Sequence, residues 1–380
     1  MLIFLQLLSF VSGRSEMDAF RTFEQVCKAH GYLFESHKVS TDDGYILTLF
    51  RIPGKRGENV GQIKPVVFLQ HGLIDLADTW IMNDDAPGFL MADAGFDVWL
   101  GNSRGSFHSL EHHWLDYNKD SEYWEFTWQH MADFDLPAML GYVLKKTQQQ
   151  KLSYIAHSQG TLQMFARLST HPEFSENLNV FIALGPVGTV KNIEVPMLRA
   201  LKEFPIFELL SKFNVHEFLP NMHLNFLFYE VCKVFGKACD AIIEFYADMQ
   251  VEEVDNVERF PVILAHETGG TSVLNMKHWQ QMMNYEEYKV QRFDFGVKNK
   301  EVYGQDYPPL FDFTKIPGPI ALFYGTCDRL ADLKDVYWLE EQLGDSVVYS
   351  EKLFFGHASF MWGRNMTYFD TVISLVNKYN

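Results

Sequence analysis

Residues 151–168 read KLSYIAHSQGTLQMFARL, and this stretch decides the fold. The apolar run LSYIA predicts a short buried strand, and TLQMFARL after it has apolar residues at helical spacing. Between them, Ser158 has a small residue two positions away on either side, Ala156 and Gly160. This pattern is typical of a nucleophile elbow, a strained strand-to-helix turn that presents a serine hydroxyl. Alanine adds only a methyl group where glycine is usual, so we expect the elbow to form.

Length and charge limit the classes of function. With 380 residues and 47% hydrophobic residues, the chain can bury a large core, as one domain or as a domain with an insertion. Its net charge of -17 argues against nucleic acid as a partner and against ionic docking on anionic membranes. Any contact with lipid must therefore be apolar.

The N-terminus and one sequon indicate the secretory pathway. Residues 1–13, MLIFLQLLSFVSG, are expected to be a short secretory signal. The alternative is an N-terminal helix that docks on the fold. Asn365-Met366-Thr367 is a possible N-glycosylation site, although a single sequon is weak evidence.

Four cysteines are too few for a disulfide scaffold. Cys232 and Cys239 lie close together with Gly236 between them, and they could close a small loop in an oxidising compartment. We expect Cys27 and Cys327 to be free thiols that pack as small hydrophobic side chains.

The order of elements predicts an α/β fold with a mostly parallel central sheet and helices on both faces, because apolar strands alternate with helices. The core is expected at residues 14–185 and 306–380. Residues 186–305 contain few strand-like runs and many Phe and Met residues, which predicts an inserted helical cap. The predicted elements are a helix at 20–30, a hairpin at 35–51, strands at 65–70, 96–100, 152–156, 181–184, 317–325 and 346–353, and helices at 89–94, 122–146, 161–168, 333–343 and 366–378.

Ser158 needs a base to accept its proton and an acid to hold that base. In a parallel sheet these groups lie on loops at the carboxyl ends of strands. His357 follows the last strand in LFFGHASF, and Asp328 follows the strand that ends at Gly325. The order Ser158, Asp328, His357 is the one expected for this fold class. These three residues are the predicted catalytic triad.

Other candidate residues have simpler interpretations. Asp332 and Asp335 suit a helix N-cap and a supporting acid in the first turn. His157 is expected to pack or to line the site. The pair His112-His113 lacks partners at ligand spacing and is interpreted as solvated loop residues, so we expect no metal and no cofactor. Ser103 and Arg104 are interpreted as residues on the rim of the site, with no assigned role.

The oxyanion hole requires two N–H donors that point at one place. The backbone of Gln159, at the start of the helix, is predicted to supply one. The other is expected from the loop after the first buried strand, where Leu73 in His71-Gly72-Leu73 is our choice. The alternative for this loop is a simple strand-ending turn.

The aromatic residues of the insertion have two interpretations. They could cover a site for long apolar chains and move to expose it. Alternatively, most of them form the core of the insertion itself. The aromatic run with Tyr123, Trp124, Phe126 and Trp128 is expected to pack on the sheet.

From about Glu24 onward the chain resembles the acid lipase family of α/β-hydrolases, the animal gastric and lysosomal lipases. The resemblance rests on the elbow AHSQGT together with TDDGYIL, FLQHGL, ADAGFDVWLGNSRG, DLPAM, GTSVLNMKHW, LADLKDV and the histidine segment that ends in FMWG. It implies hydrolysis of acylglycerols and sterol esters through an acyl-serine, under a helical cap. It also implies the roles given above to Ser158, Asp328, His357, Leu73 and Gln159, and it relates Cys232 and Cys239 to a cap disulfide, with a shorter spacing here.

We therefore expect a lipase that acts on lipid esters at a lipid-water interface, either secreted or in the lumen of an acidic organelle. One alternative is a carboxylesterase or thioesterase for short soluble acyl esters. The other is a lipid-binding protein without activity. Chain length, preference for glycerol or sterol esters, and pH optimum are not predicted from the sequence.

Overall fold

The computed structural model describes a large part of the chain. The described residues are 17–58, 63–204, 206–219, 229–231 and 253–380. The predicted signal at residues 1–13 and the cysteines Cys232 and Cys239 lie outside these ranges.

The strands are numbered in chain order. They are β1 Glu35–Ser40, β2 Tyr45–Ile52, β3 Val66–Gln70, β4 Asp97–Gly101, β5 Glu111–His112, β6 Leu152–His157, β7 Leu178–Leu184, β8 Glu217–Phe218, β9 Thr271–Ser272, β10 Ile320–Gly325 and β11 Val347–Leu353.

The α-helices are α1 Phe23–Ala29, α2 Pro87–Asp93, α3 Trp128–His130, α4 Leu136–Thr147, α5 Gln159–Thr170, α6 Pro196–Glu203, α7 Ile206–Lys212, α8 Phe260–His266, α9 Val273–Met283, α10 Asn299–Tyr303, α11 Leu333–Leu343, α12 Ser359–Trp362 and α13 Tyr368–Tyr379. A π-helical turn, Met131–Asp135, joins α3 to α4. Short 3-10 helices occupy Met17–Phe20, Ala77–Trp80, Ser121–Trp124, Pro172–Asn177, Val257–Arg259, Gly296–Lys298, Phe313–Lys315 and Gly344–Ser346.

The main sheet has nine strands, in the order β1-β2-β4-β3-β6-β7-β10-β11 with β5 paired to β2. From β4 to β11 every neighbouring pair is parallel, whereas β1, β2 and β4 pair antiparallel. The predicted hairpin is confirmed by the pairing of β1 with β2. Because parallel strands have their carboxyl ends at the same edge, the loops after β3, β6, β7, β10 and β11 meet there.

Helices cover both faces of the sheet, because each face carries its own apolar core. On one face, α4, α5, α9 and α11 contribute to a core that contains Phe68, Tyr154 and Leu322. On the other face, α1, α2, α8 and α13 pack around Leu69 and Ile155. The neighbours Phe68 and Leu69 belong to opposite cores because successive strand residues point to opposite faces.

The predicted long helix over residues 122–146 is wrong at its start. The chain leaves helical geometry at Glu125, whose φ of -81° and ψ of 54° end a 3-10 turn. The side chain of Thr127 then accepts a hydrogen bond from the N–H of Gln129, so that a new helix begins at Trp128. The aromatic pattern reflects burial here, not helical periodicity, and the expected packing of these aromatic residues in the core is confirmed.

The predicted helix over residues 20–30 is also shorter in the structure. A 3-10 turn at Met17–Phe20 precedes α1, and Thr22 caps α1 with a capping box to Gln25. The remaining predicted elements are present, with ends that differ by a few residues.

The described part of residues 186–305 contains α6 to α10 and a small antiparallel pair of β8 with β9. Helix α9 packs into the main core through Met276, Trp279 and Met282, all of which are buried. The designation of 186–305 as a cap domain stays a prediction. Within the described ranges, no helix combines the length and apolar character that crossing a bilayer demands.

Candidate active site

The serine of the elbow lies between β6 and α5. Ser158 has φ 54° and ψ -124°, a strained conformation for a residue other than glycine. Its N–H donates to the carbonyl oxygen of Leu184 on β7 at 3.1 Å, which ties the turn to the neighbouring strand. Ser158 is 2% exposed and lines a cavity, which gives access to its hydroxyl.

The small residues around Ser158 allow α5 to cross close to the sheet. A Cβ atom on Gly160 would lie 2.8 Å from the carbonyl oxygens of both Gln70 and His71, which is too close for any side chain. The fully buried Ala156 is accommodated in the core. A small residue is therefore required most strictly on the helix side of the elbow, at Gly160.

The predicted acid and base are hydrogen-bonded to each other. His357 Nδ1 lies 2.8 Å from Asp328 Oδ2, and both residues are buried. The other carboxylate oxygen, Asp328 Oδ1, accepts hydrogen bonds from the N–H groups of Leu330 at 2.9 Å and Ala331 at 2.8 Å. Asp328 is thereby fixed in orientation and satisfied as an acceptor on both oxygens.

Two backbone bonds keep Asp328 beside His357. The N–H of Thr326 donates to Leu353 O at 2.8 Å, and the N–H of Cys327 donates to Phe355 O at 2.9 Å. The loop after β10 therefore continues the pairing with the segment after β11 beyond the end of the sheet. These two bonds fix the alignment of the loop after β10 with the segment after β11. They therefore couple the position of Asp328 to that of His357.

Gly185, at the end of β7, leaves space for this pair. Its φ is +53°, and a Cβ atom there would lie 3.1 Å from His357 ring atoms and 3.5 Å from Asp328 Oδ2. A side chain at this position would strain the backbone and press against the imidazole.

The peptide group that carries the Leu73 N–H is held by His71. Ser103 N–H donates to His71 Nε2 at 3.0 Å, so Nε2 is the acceptor and Nδ1 carries the hydrogen. Nδ1 then donates to Gly72 O at 2.9 Å, and this carbonyl belongs to the same planar peptide as the Leu73 N–H. Burial lowers the pKa of His71 to about 4, so the ring is neutral at neutral pH.

Asp75 holds the other side of the same loop. It accepts hydrogen bonds from the N–H groups of Gly72 at 3.3 Å and Leu76 at 2.7 Å. Neither Asp75 nor the His71 side chain was predicted to have a role. Their position could have indicated a role, because both are polar residues that follow a buried strand in the predicted oxyanion loop.

The second predicted donor, Gln159, is the first residue of α5, so its N–H has no acceptor within the helix. Its side chain is anchored by α9. Gln159 Oε1 accepts from Trp279 Nε1 at 2.8 Å and from Asn275 Nδ2 at 3.0 Å. Both partners belong to the motif GTSVLNMKHW, which therefore has a structural task next to the serine.

The cavity at Ser158 is mainly apolar, with a few polar groups. It is lined by Gly72, Leu73, Ile74, Asp75, Thr79, His157, Ser158, Met197, Leu198, Glu267, Leu330, His357, Ala358, Met361 and Trp362. Its lining thus includes the predicted nucleophile, the predicted base and Leu73, one of the two predicted oxyanion donors.

His157 lines this cavity, as predicted. Its Nε2 lies 3.0 Å from the carbonyl oxygen of His357, and the two rings are 4.6 Å apart. Burial, and then the neighbouring His357, lower the pKa of His157 well below its ordinary range. His157 therefore supports the loop of the predicted base as a neutral ring.

The competing acids have structural partners. Asp332 caps α11 through the N–H of Lys334 at 2.9 Å. Asp335 is buried and accepts from the backbone and the side chain of Asn192, at 2.9 and 2.8 Å. Neither of them lines the cavity, and Asp328 is the acid that contacts His357.

Two predictions about polar residues are wrong. Arg104 is 1% exposed and binds the carboxylates of Asp43 and Asp135 in a buried network, so it is not a rim residue. His112 lies on β5 instead of in a solvated loop, and its Nδ1 accepts from the N–H of Leu115 at 3.1 Å. Arg104 binds partners that are distant in sequence, and so does His112, whose Nε2 lies 3.2 Å from Asp43 O.

The described aromatic residues of 186–305 differ in burial, and both interpretations of them stay predictions. Phe207 is fully buried, whereas Phe204 and Phe213 are 59% and 73% exposed. Among the sites outside the core, Cys27 is a buried free thiol and Cys327 a partly exposed one, and Asn365 is exposed. Glycosylation at Asn365 stays a prediction.

Comparison with family models confirms the fold class. The model described as "alpha/beta hydrolase fold" matches residues 65–363, and the one described as "Partial alpha/beta-hydrolase lipase region" matches residues 23–84. A soluble variant of monoglyceride lipase from Saccharomyces cerevisiae superimposes with a TM-score of 0.54 at 14% identity, covering 92% of this chain and 97% of that one. This structural likeness concerns the fold alone.

Curated relatives match nearly end to end. Gastric triacylglycerol lipase of Rattus norvegicus is 38% identical over 360 residues, which cover 92% of this chain and 89% of the relative. Lysosomal acid lipase/cholesteryl ester hydrolase of Homo sapiens is 38% identical over 363 residues, with the same coverage. The resemblance noted from the motifs is thereby confirmed over most of the chain.

Proposed function

This chain belongs to the acid lipase family of α/β-hydrolases, a family of ester-hydrolysing enzymes, and from that premise we propose that it cleaves acylglycerols, sterol esters or both through an acyl-serine intermediate. The observation that carries the proposal is the 2.8 Å hydrogen bond between His357 and Asp328 at the cavity of Ser158. Acyl transfer of this kind uses a serine, an imidazole that takes the serine proton, and a carboxylate that holds the imidazole.

In the proposed reaction, His357 takes the proton of Ser158 as the hydroxyl oxygen attacks the ester carbonyl. The N–H groups of Leu73 and Gln159 bind the oxyanion that forms. His357 then gives its proton to the departing alcohol, and an acyl-serine remains. Water, deprotonated by His357, attacks this acyl group and releases the fatty acid. Asp328 keeps the imidazole oriented and stabilises its charged form.

The lining of the cavity supports a long apolar acyl chain as part of the substrate. Met197, Leu198, Leu330, Met361 and Trp362 contribute apolar surface next to the nucleophile. Binding an acyl chain against this surface is favourable, because it removes apolar surface from water. The names of the relatives cover both acylglycerol and sterol ester substrates, and the proposal keeps both classes.

Location follows the same relatives. We propose that the protein works outside the cytosol, either secreted or in a lysosome-like lumen, where its substrate is a lipid ester at an interface. A disulfide between Cys232 and Cys239 belongs to this proposal, since an oxidising compartment would permit it.

The deciding experiment compares the parent with Ser158→Ala. The parent should release fatty acid from dispersed long-chain triacylglycerol and cholesteryl ester, and a fluorophosphonate should label it at Ser158. Ser158→Ala should keep the melting temperature of the parent and lose both reactions. Hydrolysis retained by the variant would refute the assignment of the nucleophile. A parent that hydrolyses soluble butyrate esters but not dispersed lipids would instead be a carboxylesterase, and one that is neither labelled nor active would be a lipid-binding protein.

A further inference from the structure

Two carboxyl groups meet on the wall of the cavity, beside the oxyanion loop. Asp75 and Glu267 both line the cavity that contains Ser158, and their carboxyl groups are close enough to hydrogen-bond when one of them is protonated. Two ionised carboxylates have only acceptors, so a hydrogen bond between them requires a proton on one of them.

The backbone holds the two carboxyl groups together. Glu267 follows α8, and two residues later the N–H of Gly269 donates to Ile74 O at 2.7 Å. A Cβ atom on Gly269 would lie 2.2 Å from Asp75 O, so the two loops approach as closely as a glycine permits. The backbone segments that carry Asp75 and Glu267 are therefore held in contact, which keeps the two carboxyl groups within reach of each other.

The surroundings favour retention of the proton. Burial raises the pKa of Asp75 to about 7, and the charge of Asp78 acts in the same direction. Burial, and then the charges of Asp75 and Asp78, raise the pKa of Glu267 well above its ordinary range. The pair resembles other sites where two close carboxyl groups share a proton because both cannot ionise easily.

Other titratable groups face the pair. Asp78 lies behind it and is itself bound by His108 Nε2 at 2.7 Å and His266 Nδ1 at 3.1 Å. Among the described residues, His157 and His357 line the same cavity, and His71 lies beneath the loop. Asp78 adds negative charge, which opposes a second ionisation of the pair.

We propose that Asp75 and Glu267 act as one proton-sharing carboxyl pair that positions the Gly72–Leu73 loop, so that the enzyme works only while the pair retains a proton. With one proton, Asp75 accepts from the Gly72 and Leu76 N–H groups while Glu267 stays bound to it. Loss of that proton places two negative charges in contact. Their repulsion pushes the loops apart and adds negative charge near the position of the developing oxyanion.

The test is the pH profile of kcat/KM on a soluble butyrate ester, measured on the full chain. In Glu267→Gln the amide donates to an ionised Asp75, and the pair has no further proton to lose. We expect the decline of kcat/KM on the alkaline side to move up by at least about one pH unit, because a like charge in contact is removed. Asp75→Asn should lower kcat/KM at every pH and also remove that decline, since Gly72 loses its carboxylate partner.

The matched control is Glu217→Gln. It makes the same chemical change on β8, beside Gly270 in the segment that follows Glu267. Glu217 Oε1 lies 3.6 Å from the position of a Cβ atom on Gly270, and burial raises the pKa of Glu217 too, yet Glu217 does not line the cavity. Its profile should coincide with that of the parent. An equal shift in Glu217→Gln, or no shift in Glu267→Gln, overturns the proposal.

Infrared spectra of the parent provide a readout that does not depend on the folding of any variant. A signal from a protonated carboxyl group should disappear over the pH range in which kcat/KM falls, and its absence overturns the proposal. The inference rests on the proposed function, but the two can fail separately. Loss of the hydrolase assignment would appear as an unreactive Ser158, whereas normal hydrolysis with an unchanged profile in Glu267→Gln rejects only the carboxyl pair.

Discussion

The indole N–H of Trp279 donates a 2.8 Å hydrogen bond to the side-chain oxygen of Gln159, the residue next to the proposed nucleophile. This bond joins α9, from the predicted insertion, to the first turn of α5. Gln159 is thus fixed both by the sheet, through the elbow, and by α9. The proposed oxyanion donor therefore depends on a residue far from it in sequence.

Trp279→Phe should slow turnover as well as weaken the fold. Loss of one neutral hydrogen bond costs about 1 kcal/mol of unfolding free energy. A loosened Gln159 should in addition lower kcat by roughly tenfold, because small displacements of catalytic groups have effects of this order. Urea unfolding and ester kinetics measure the two effects. Trp124→Phe is the control, since Trp124 Nε1 also donates from a buried position, to Tyr117 O at 2.9 Å, and it should lose stability alone. Equal kcat values in the two variants would contradict the prediction.

Asp328→Asn should lower kcat by about four orders of magnitude, because an amide in place of the carboxylate favours the wrong imidazole tautomer. Asp332→Asn and Asp335→Asn remove acids from the same segment, but these acids hold a helix cap and Asn192. They should change the melting temperature more than kcat. If either of them were the damaging change, the proposed acid would be wrong.

His71→Leu should weaken stabilisation of the oxyanion while leaving the nucleophile in place. The change removes the donor to Gly72 O and leaves the Ser103 N–H without its present acceptor. We expect kcat/KM to fall by up to about 10²-fold, the effect of losing one oxyanion donor. The unfolding free energy should fall by about 1–3 kcal/mol for the unsatisfied N–H. Ester kinetics and urea unfolding test this, and a kcat/KM equal to that of the parent would show that His71 does not position Leu73.

Asp75→Asn should change the pH dependence of stability in a definite direction. Because burial raises the pKa of Asp75 to about 7, the folded protein holds this proton more tightly than the unfolded chain does. The stabilising contribution is therefore complete below the ordinary value of about 3.9 and is lost as the pH rises through about 7. The variant lacks this loss, so its melting temperature relative to the parent should rise between about pH 4 and about pH 8. Parallel curves for the two proteins would reject the raised pKa.

The sequence predicted those features that depend on local pattern. Strand β6, the elbow and helix α5 follow from the apolar run, the small residues and the helical spacing around Ser158. Asp328 and His357 were found because each follows a strand of a parallel sheet. Contacts between distant segments had no such signal. Sequence spacing does not encode how loops pack. Three contacts depend on that packing: the ion pairs of Arg104, the hydrogen bond from Trp279 to Gln159, and the contact between Asp75 and Glu267.

Aromatic spacing misled the prediction at residues 122–127. Tyr123, Trp124 and Phe126 are buried in the core without forming one continuous helix, and Thr127 starts the helix later than the aromatic residues suggest. Thr127 is a suitable N-cap residue and marks the true start of the helix, but the aromatic run before it suggested an earlier start.

The absence of a side chain at Gly185, next to the imidazole of His357, limits how this enzyme can be redesigned. At residue 185 the left-handed backbone and the 3.1 Å approach of the imidazole both disfavour a side chain, so a library randomised at this position should return mainly glycine among active clones. Variation that widens or narrows the entrance for new substrates has to be sought instead at Met197, Leu198 or Leu330, where side chains border the cavity without confining the imidazole.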